Sequence, residues 1–61
     1  MNEPSKLLHQ ISEVQRAIGV GRTTVYGLIS EHQLDVVHIG RRALVTDESL
    51  RAYVARLRDA A

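Results

Sequence analysis

Apolar residues recur along this chain at helical spacing, then alternate, then return to helical spacing. Ile11, Val14 and Ile18 would share one helix face, and Ser12 followed by Gln15 three positions later forms a capping box. The spacing predicts a first helix from about Ser12 to Ile18, stopped by Gly19, since glycine tolerates the left-handed conformation common at helix C-termini. Gly21 then stands at the N-cap of a second helix, from about Arg22 to His32, with Val25, Leu28 and Ile29 on its buried face. Arg22, Thr23, Tyr26 and Ser30 are left outward. Gly27 sits inside this helix at a cost of about 1 kcal/mol relative to alanine. Either something approaches the backbone there or the cost is tolerated.

From Leu34 the pattern shortens. Val37 and Ile39, then Ala43 and Val45, alternate on either side of Gly40-Arg41-Arg42, as in a two-stranded hairpin with one face on the core. Period two then turns Val36 and Leu44 outward, an exposed apolar pair that is a candidate self-association surface unless the twist of the hairpin covers it. Thr46 is placed to cap a third helix entered through Asp47 and Glu48, whose charges suit the positive end of the helix dipole. Leu50, Tyr53, Val54 and Leu57 give that helix a continuous stripe, with Arg51, Arg56 and Arg58 off it as a solvated face or a partner contact. Leu7 and Leu8 are expected to anchor across the core. The expected organisation is a disordered arm over residues 1–6, one winged helix-turn-helix domain over 7–58 and a frayed end over 59–61. Its class is mainly α with a small β-hairpin, three helices plus a two-stranded wing.

Composition narrows the functions such a chain can have. Its 61 residues allow one small domain, and the absence of cysteine removes disulfides and thiolate zinc sites as staples. No apolar run reaches the ~18 residues of a membrane span, and the start, M-N-E-P-S-K, lacks the apolar stretch of a signal peptide, so the cytoplasm is the expected compartment. Eight basic residues against seven acidic ones give a net charge of only +1. Five arginines lie after residue 35, so the basic charge leans towards the second half. A field this weak implies loose non-specific binding by one copy, with bending, cooperativity or a partner adding the rest.

The polar residues sort by the same logic. An outward guanidinium, hydroxyls and a phenol near the start of the second helix are the groups a major-groove reader uses. Thr23 and Thr24 suit phosphate contacts or the satisfaction of first-turn amides, and Tyr26 suits a phosphate contact or cover for the core rim. Arg41 and Arg42 at a hairpin tip suit a narrow, electronegative minor groove. His38 is a wing contact to phosphate or an ordinary strand residue. His9, His32 and His38 are too scattered for a metal motif, and no nucleophile stands beside a base, so no metal, cofactor or catalysis is expected.

Three blocks, I-G-V-x-R-T-T-V-Y-x-L-I at Ile18 to Ile29, V-x-I-G-R-R at Val37 to Arg42 and E-x-L-x-A-Y-V at Glu48 to Val54, resemble the excisionase-type DNA-binding domain, a winged helix-turn-helix related to MerR-like regulators. The resemblance covers most of the chain. It implies that the second helix enters the major groove with Arg22, Thr23, Thr24 and Tyr26, and that the wing carries Arg41 and Arg42 to the backbone or adjacent minor groove. Gly27, Asp35, His38, Ala43 and Leu44 depart from the family's pattern, which shifts weight from base readout towards DNA shape.

The resemblance also implies a role as a recombination directionality factor. Neighbouring copies would bind attachment-site DNA of a phage or mobile element, bend it and help a tyrosine-type integrase to excise. A small transcriptional regulator of the same fold is the alternative, although the long dimerising helix of MerR-like regulators is missing. A protein-binding adaptor fits less well, because Arg22, Arg41 and Arg42 are intact.

Overall fold

The first helix begins one residue earlier than its sequence signal. In the computed structural model, which describes residues 7–60, α1 spans Ile11–Ile18 with Gln10 at its N-cap. The Glu13 carboxylate accepts the Gln10 backbone N–H at 2.8 Å, so the capping box is Gln10 with Glu13 instead of Ser12 with Gln15. A carboxylate is the stronger acceptor, and it sits at the positive end of the helix. Gly19 closes α1 at φ 70°, its N–H donating to the Gln15 carbonyl at 2.8 Å. After Val20 and Gly21, α2 runs from Arg22 to Ser30 (Arg22–Ser30).

The second helix ends two residues before the expected His32. The His32 N–H donates to the Ile29 carbonyl and the Gln33 N–H to the Leu28 carbonyl, at 3.0 and 2.8 Å. These are the two bonds of a Schellman motif, with His32 in the left-handed position at φ 62°. The chain then turns into β2 (Val36–Ile39) and β3 (Arg42–Thr46), and α3 follows at Asp47–Ala60. Thr46 caps α3 as expected, its Oγ1 accepting the Ser49 N–H at 3.3 Å. Asp59 and Ala60 are helical, past the boundary drawn at residue 58. The expected arm at 1–6 and Ala61 lie outside the described residues.

Leu7 and Leu8 do not form the short anchor expected across the core, since Leu7 is 81% exposed. Leu8–Gln10 is a strand, β1, antiparallel to β3, so the wing belongs to a three-stranded sheet of order β1-β3-β2. The Asp47 N–H donates to the Leu7 carbonyl at 2.8 Å, fastening this strand to the start of α3.

Pairing in the sheet corrects the expected faces of the hairpin. Val36 lies opposite Val45 and His38 opposite Ala43, so these four share one face. Val37 opposite Leu44, and Ile39 opposite Arg42, share the other. Val45 is fully buried in the core with Ile11, Val14, Val25, Leu34 and Leu50, which makes its face the inner one. Val37 and Ile39 therefore point outward, at 38% and 57% exposure, and Val36 inward. Val36 and Leu44 lie on opposite faces and cannot form the anticipated exposed pair. Leu44 is also only 9% exposed, because it lies on the central strand between Gln10 and Val37.

The loop residue Leu34, at 1% exposure, belongs to the same core. Its neighbours are held by Ser49, which accepts the Asp35 N–H at 3.1 Å and donates to the Thr46 carbonyl at 2.9 Å. The Ser49 hydroxyl also accepts from Thr46 Oγ1 at 2.8 Å, so its single donor and two acceptor sites are all used. Leu57, at the far end of the α3 stripe, is 51% exposed and lies beyond the reach of this small core.

Candidate nucleic-acid interface

Val25 is fully buried, and Leu28 and Ile29 pack against the core, which turns the opposite side of α2 to solvent. At about 100° per residue, Thr23, Gly27 and Ser30 lie along the middle of that outward side. Arg22 and Tyr26 lie on one flank and Thr24 on the other, and all six are exposed. The recognition residues expected from sequence thus share a surface, but Thr24 is turned away from the Arg22–Tyr26 pair.

The N-terminal end of α2 is left open. No side chain caps it, and its first turn contains no acidic residue. A serine or aspartate at position 21 would satisfy an amide that Gly21 leaves free for an external acceptor. With the positive end of the helix dipole and the Arg22 guanidinium added, this end attracts phosphate. The Arg22 Cζ lies 5.6 Å from the centre of the Tyr26 ring, one helical turn away. Stacking there restrains a long side chain while leaving its N–H edge free to donate.

The wing tip is a two-residue turn, Gly40-Arg41, closed by the Ile39–Arg42 pair. Gly40 has φ 61° while Arg41 does not have a positive φ, the pattern a type II′ hairpin turn requires. Arg41 is therefore at the apex. Arg42 is the first residue of β3 and belongs to the outer face with Ile39 and Val37, so the two guanidiniums do not project from one tip. His38 is exposed on the inner face of the hairpin, opposite Ala43.

Charge pairing separates the arginines further. Arg51 donates to the Asp47 carboxylate at 2.7 Å, and Arg56 to the Gln33 side chain at 2.7 Å, so both serve the fold. Among the described residues no carboxylate pairs with Arg22, Arg41 or Arg42. The Asp47 carboxylate also takes His9 Nε2 at 2.7 Å. Hydrogen bonds from His9 first and Arg51 second hold its pKa below the usual 3.8. No local pattern marks this cluster, because His9 and Asp47 are 38 residues apart. Near it, a mainly apolar cleft of about 410 Å³ runs between α1 and α3, away from α2 and the wing. No three His, Asp or Glu residues come together as a metal site among the described residues, and no helix there is long and apolar enough to cross a membrane.

Comparison with known proteins agrees with the fold. Residues 10–58 match the family described as "Helix-turn-helix domain", a span that takes in α1, α2, the wing and most of α3. The chain is also similar to a protein of Saccharopolyspora erythraea named "Probable excisionase", with 32% identity over 54 residues. That match covers 88% of this chain and 55% of the relative, so the chain spans about half the length of the relative. No solved structure gives a significant match.

Proposed function

Since the chain belongs to the helix-turn-helix domain family and is a DNA-binding domain of that kind, we propose that it is an excisionase-type architectural protein. In this reading it binds attachment-site DNA in several adjacent copies, bends it, and favours integrase-mediated excision of a phage or mobile element. It does so without chemistry of its own.

The observation that carries the reading is the pairing of an open, cationic helix start with an unpaired arginine at a hairpin tip. The α2 N-terminus and Arg22 would fix the helix on a phosphate at the edge of the major groove, with Thr23 and Tyr26 turned towards the groove. Arg41 at the wing apex would enter the neighbouring minor groove, where a narrow groove concentrates negative potential. Arg42 and His38 are better placed for the flanking backbone than for base edges. Thr24, on the far flank of α2, would serve a phosphate on the other groove wall.

Few contacts of this kind, on a chain of net charge +1, give modest affinity for one copy. Contacts between neighbouring copies would supply the remainder. The outer face of the wing, with Val37 and Ile39 exposed, offers an apolar surface for them in place of the Val36 and Leu44 pair. The similarity to a protein named as a probable excisionase supports excision over promoter regulation.

Mobility-shift and bending assays on attachment-site and promoter duplexes test the proposal. Stepwise, cooperative complexes with increasing bend on attachment-site DNA are expected. A single unbent complex, formed only on promoter DNA, would replace this reading with that of a transcriptional regulator.

A further inference from the structure

Both tyrosines of this chain have an arginine over the ring, but the two pairs stand in different surroundings. Arg56 Cζ lies 6.0 Å from the centre of the Tyr53 ring, where Tyr53 packs against the core and Arg56 also donates to the Gln33 side chain at 2.7 Å. That pair belongs to the fold. Tyr26, by contrast, is 45% exposed and is not among the side chains packed against the core. Its hydroxyl has no hydrogen-bond partner among the described residues.

What the Tyr26 ring does have is Arg22. Side chains of a helix lean towards its N-terminus, so Tyr26 lies back over the turn that begins with Arg22, and the guanidinium rests 5.6 Å from the ring centre. Among the described residues the ring is the only partner of that guanidinium. An exposed arginine otherwise samples many rotamers, and ordering them on binding opposes association. A planar cation over an aromatic face keeps its N–H edge free, so the stack restrains Arg22 without consuming a donor. It does so at the end of α2 that no side chain caps and where the first turn holds no carboxylate to compete for the arginine.

We infer that Tyr26 is a positioning residue of the DNA interface. Its ring, and not its hydroxyl, holds the Arg22 guanidinium at the open start of α2, ready for one phosphate of the DNA backbone. The inference rests on the docking of α2 proposed above.

The test is a double-mutant cycle between positions 22 and 26. Its readout is affinity across a salt series for duplexes selected from a random pool by the 61-residue chain. An exposed contact of this kind raises the population of the stacked rotamer about twofold to fivefold, and apparent affinity follows that population. Tyr26→Leu, which keeps apolar bulk but removes the aromatic face, is therefore expected to weaken binding about twofold to fivefold. The slope of log K against log salt concentration should stay unchanged, because Arg22 still reaches its phosphate. Tyr26→Phe keeps the face without the hydroxyl and is expected to bind as wild type does. In an Arg22→Ala background, Tyr26→Leu is expected to cost nothing more. Neither residue packs in the core, so these variants should keep the wild-type thermal midpoint.

Tyr26→Phe weakened as much as Tyr26→Leu would give the contact to the hydroxyl, and a Tyr26→Leu loss that persists without Arg22 would mean that Tyr26 meets DNA by itself. Either result overturns the inference and leaves α2 docking intact. So does Tyr26→Leu binding as tightly as wild type. Failure of the docking reading itself has a different signature, Arg22→Ala binding as tightly as wild type.

Discussion

His32 occupies a backbone position that suits glycine better. Its φ of 62° completes the Schellman motif that ends α2, and a non-glycine residue there bears a left-handed penalty of about 1–2 kcal/mol. Part of that gain is returned through the greater unfolded-state entropy of glycine. His32→Gly should therefore stabilise by about 0.5–1 kcal/mol, raising the thermal midpoint by several degrees. An unchanged or lower midpoint would show that the imidazole makes a compensating contribution.

Ser49 works in the opposite sense. Ser49→Ala removes the acceptor of the Asp35 N–H and of Thr46 Oγ1, and is expected to cost about 1–3 kcal/mol in denaturant unfolding. Asp47 adds a pH dependence. Its folded-state pKa is depressed, so its contribution is complete above the unfolded value of 3.8 and disappears as pH falls through the lower folded value. Denaturant midpoints measured down a pH series should therefore fall less steeply below about pH 4 in Asp47→Asn than in wild type. Parallel curves would remove Asp47 from the acid response.

At the scale of elements, the helices were legible and the sheet was only partly so. Ile11, Val14 and Ile18, and Val25, Leu28 and Ile29, mark their buried faces because polar residues separate them. The hairpin lacks that contrast. V-V-H-I and A-L-V are apolar on both parities, so the phase is set by which valine reaches the core, and Val45 does. Strand β1 is three residues long and pairs across the chain with β3, leaving no local pattern to read. Leu34 was missed as a core residue because it stands alone in a loop.

The corrected faces lead to a prediction. Leu44→Ala should destabilise by about 2 kcal/mol, as for a leucine buried on the outer face of the central strand. Ile39→Asp should leave the unfolding midpoint nearly unchanged while lowering cooperativity on DNA. Intact cooperativity in folded Ile39→Asp would remove the outer wing face from the contact between copies.

For the molecule as a whole, the three blocks of the resemblance gave the order of elements, and the helix-turn-helix match over residues 10–58 shows the same framework. Which arginines remain available was not legible. Position along the elements sets Arg51 and Arg56 on a solvated face or a partner contact, and only the fold shows them tied to Asp47 and Gln33. Nor was the split between Arg41 and Arg42, which follows from a two-residue turn. In the proposed docking these differences leave two cationic points, the start of α2 and the apex of the wing.

The dependence of DNA affinity on salt tests that interface most directly. Plotted as log K against log salt concentration, wild type should show a linear fall, and Arg22→Ala and Arg41→Ala should each reduce the slope by about one unit. Arg51→Ala, whose guanidinium is held by Asp47, should leave it unchanged. Slopes unaltered by Arg22→Ala and Arg41→Ala, in proteins that remain folded, would contradict docking through α2 and the wing.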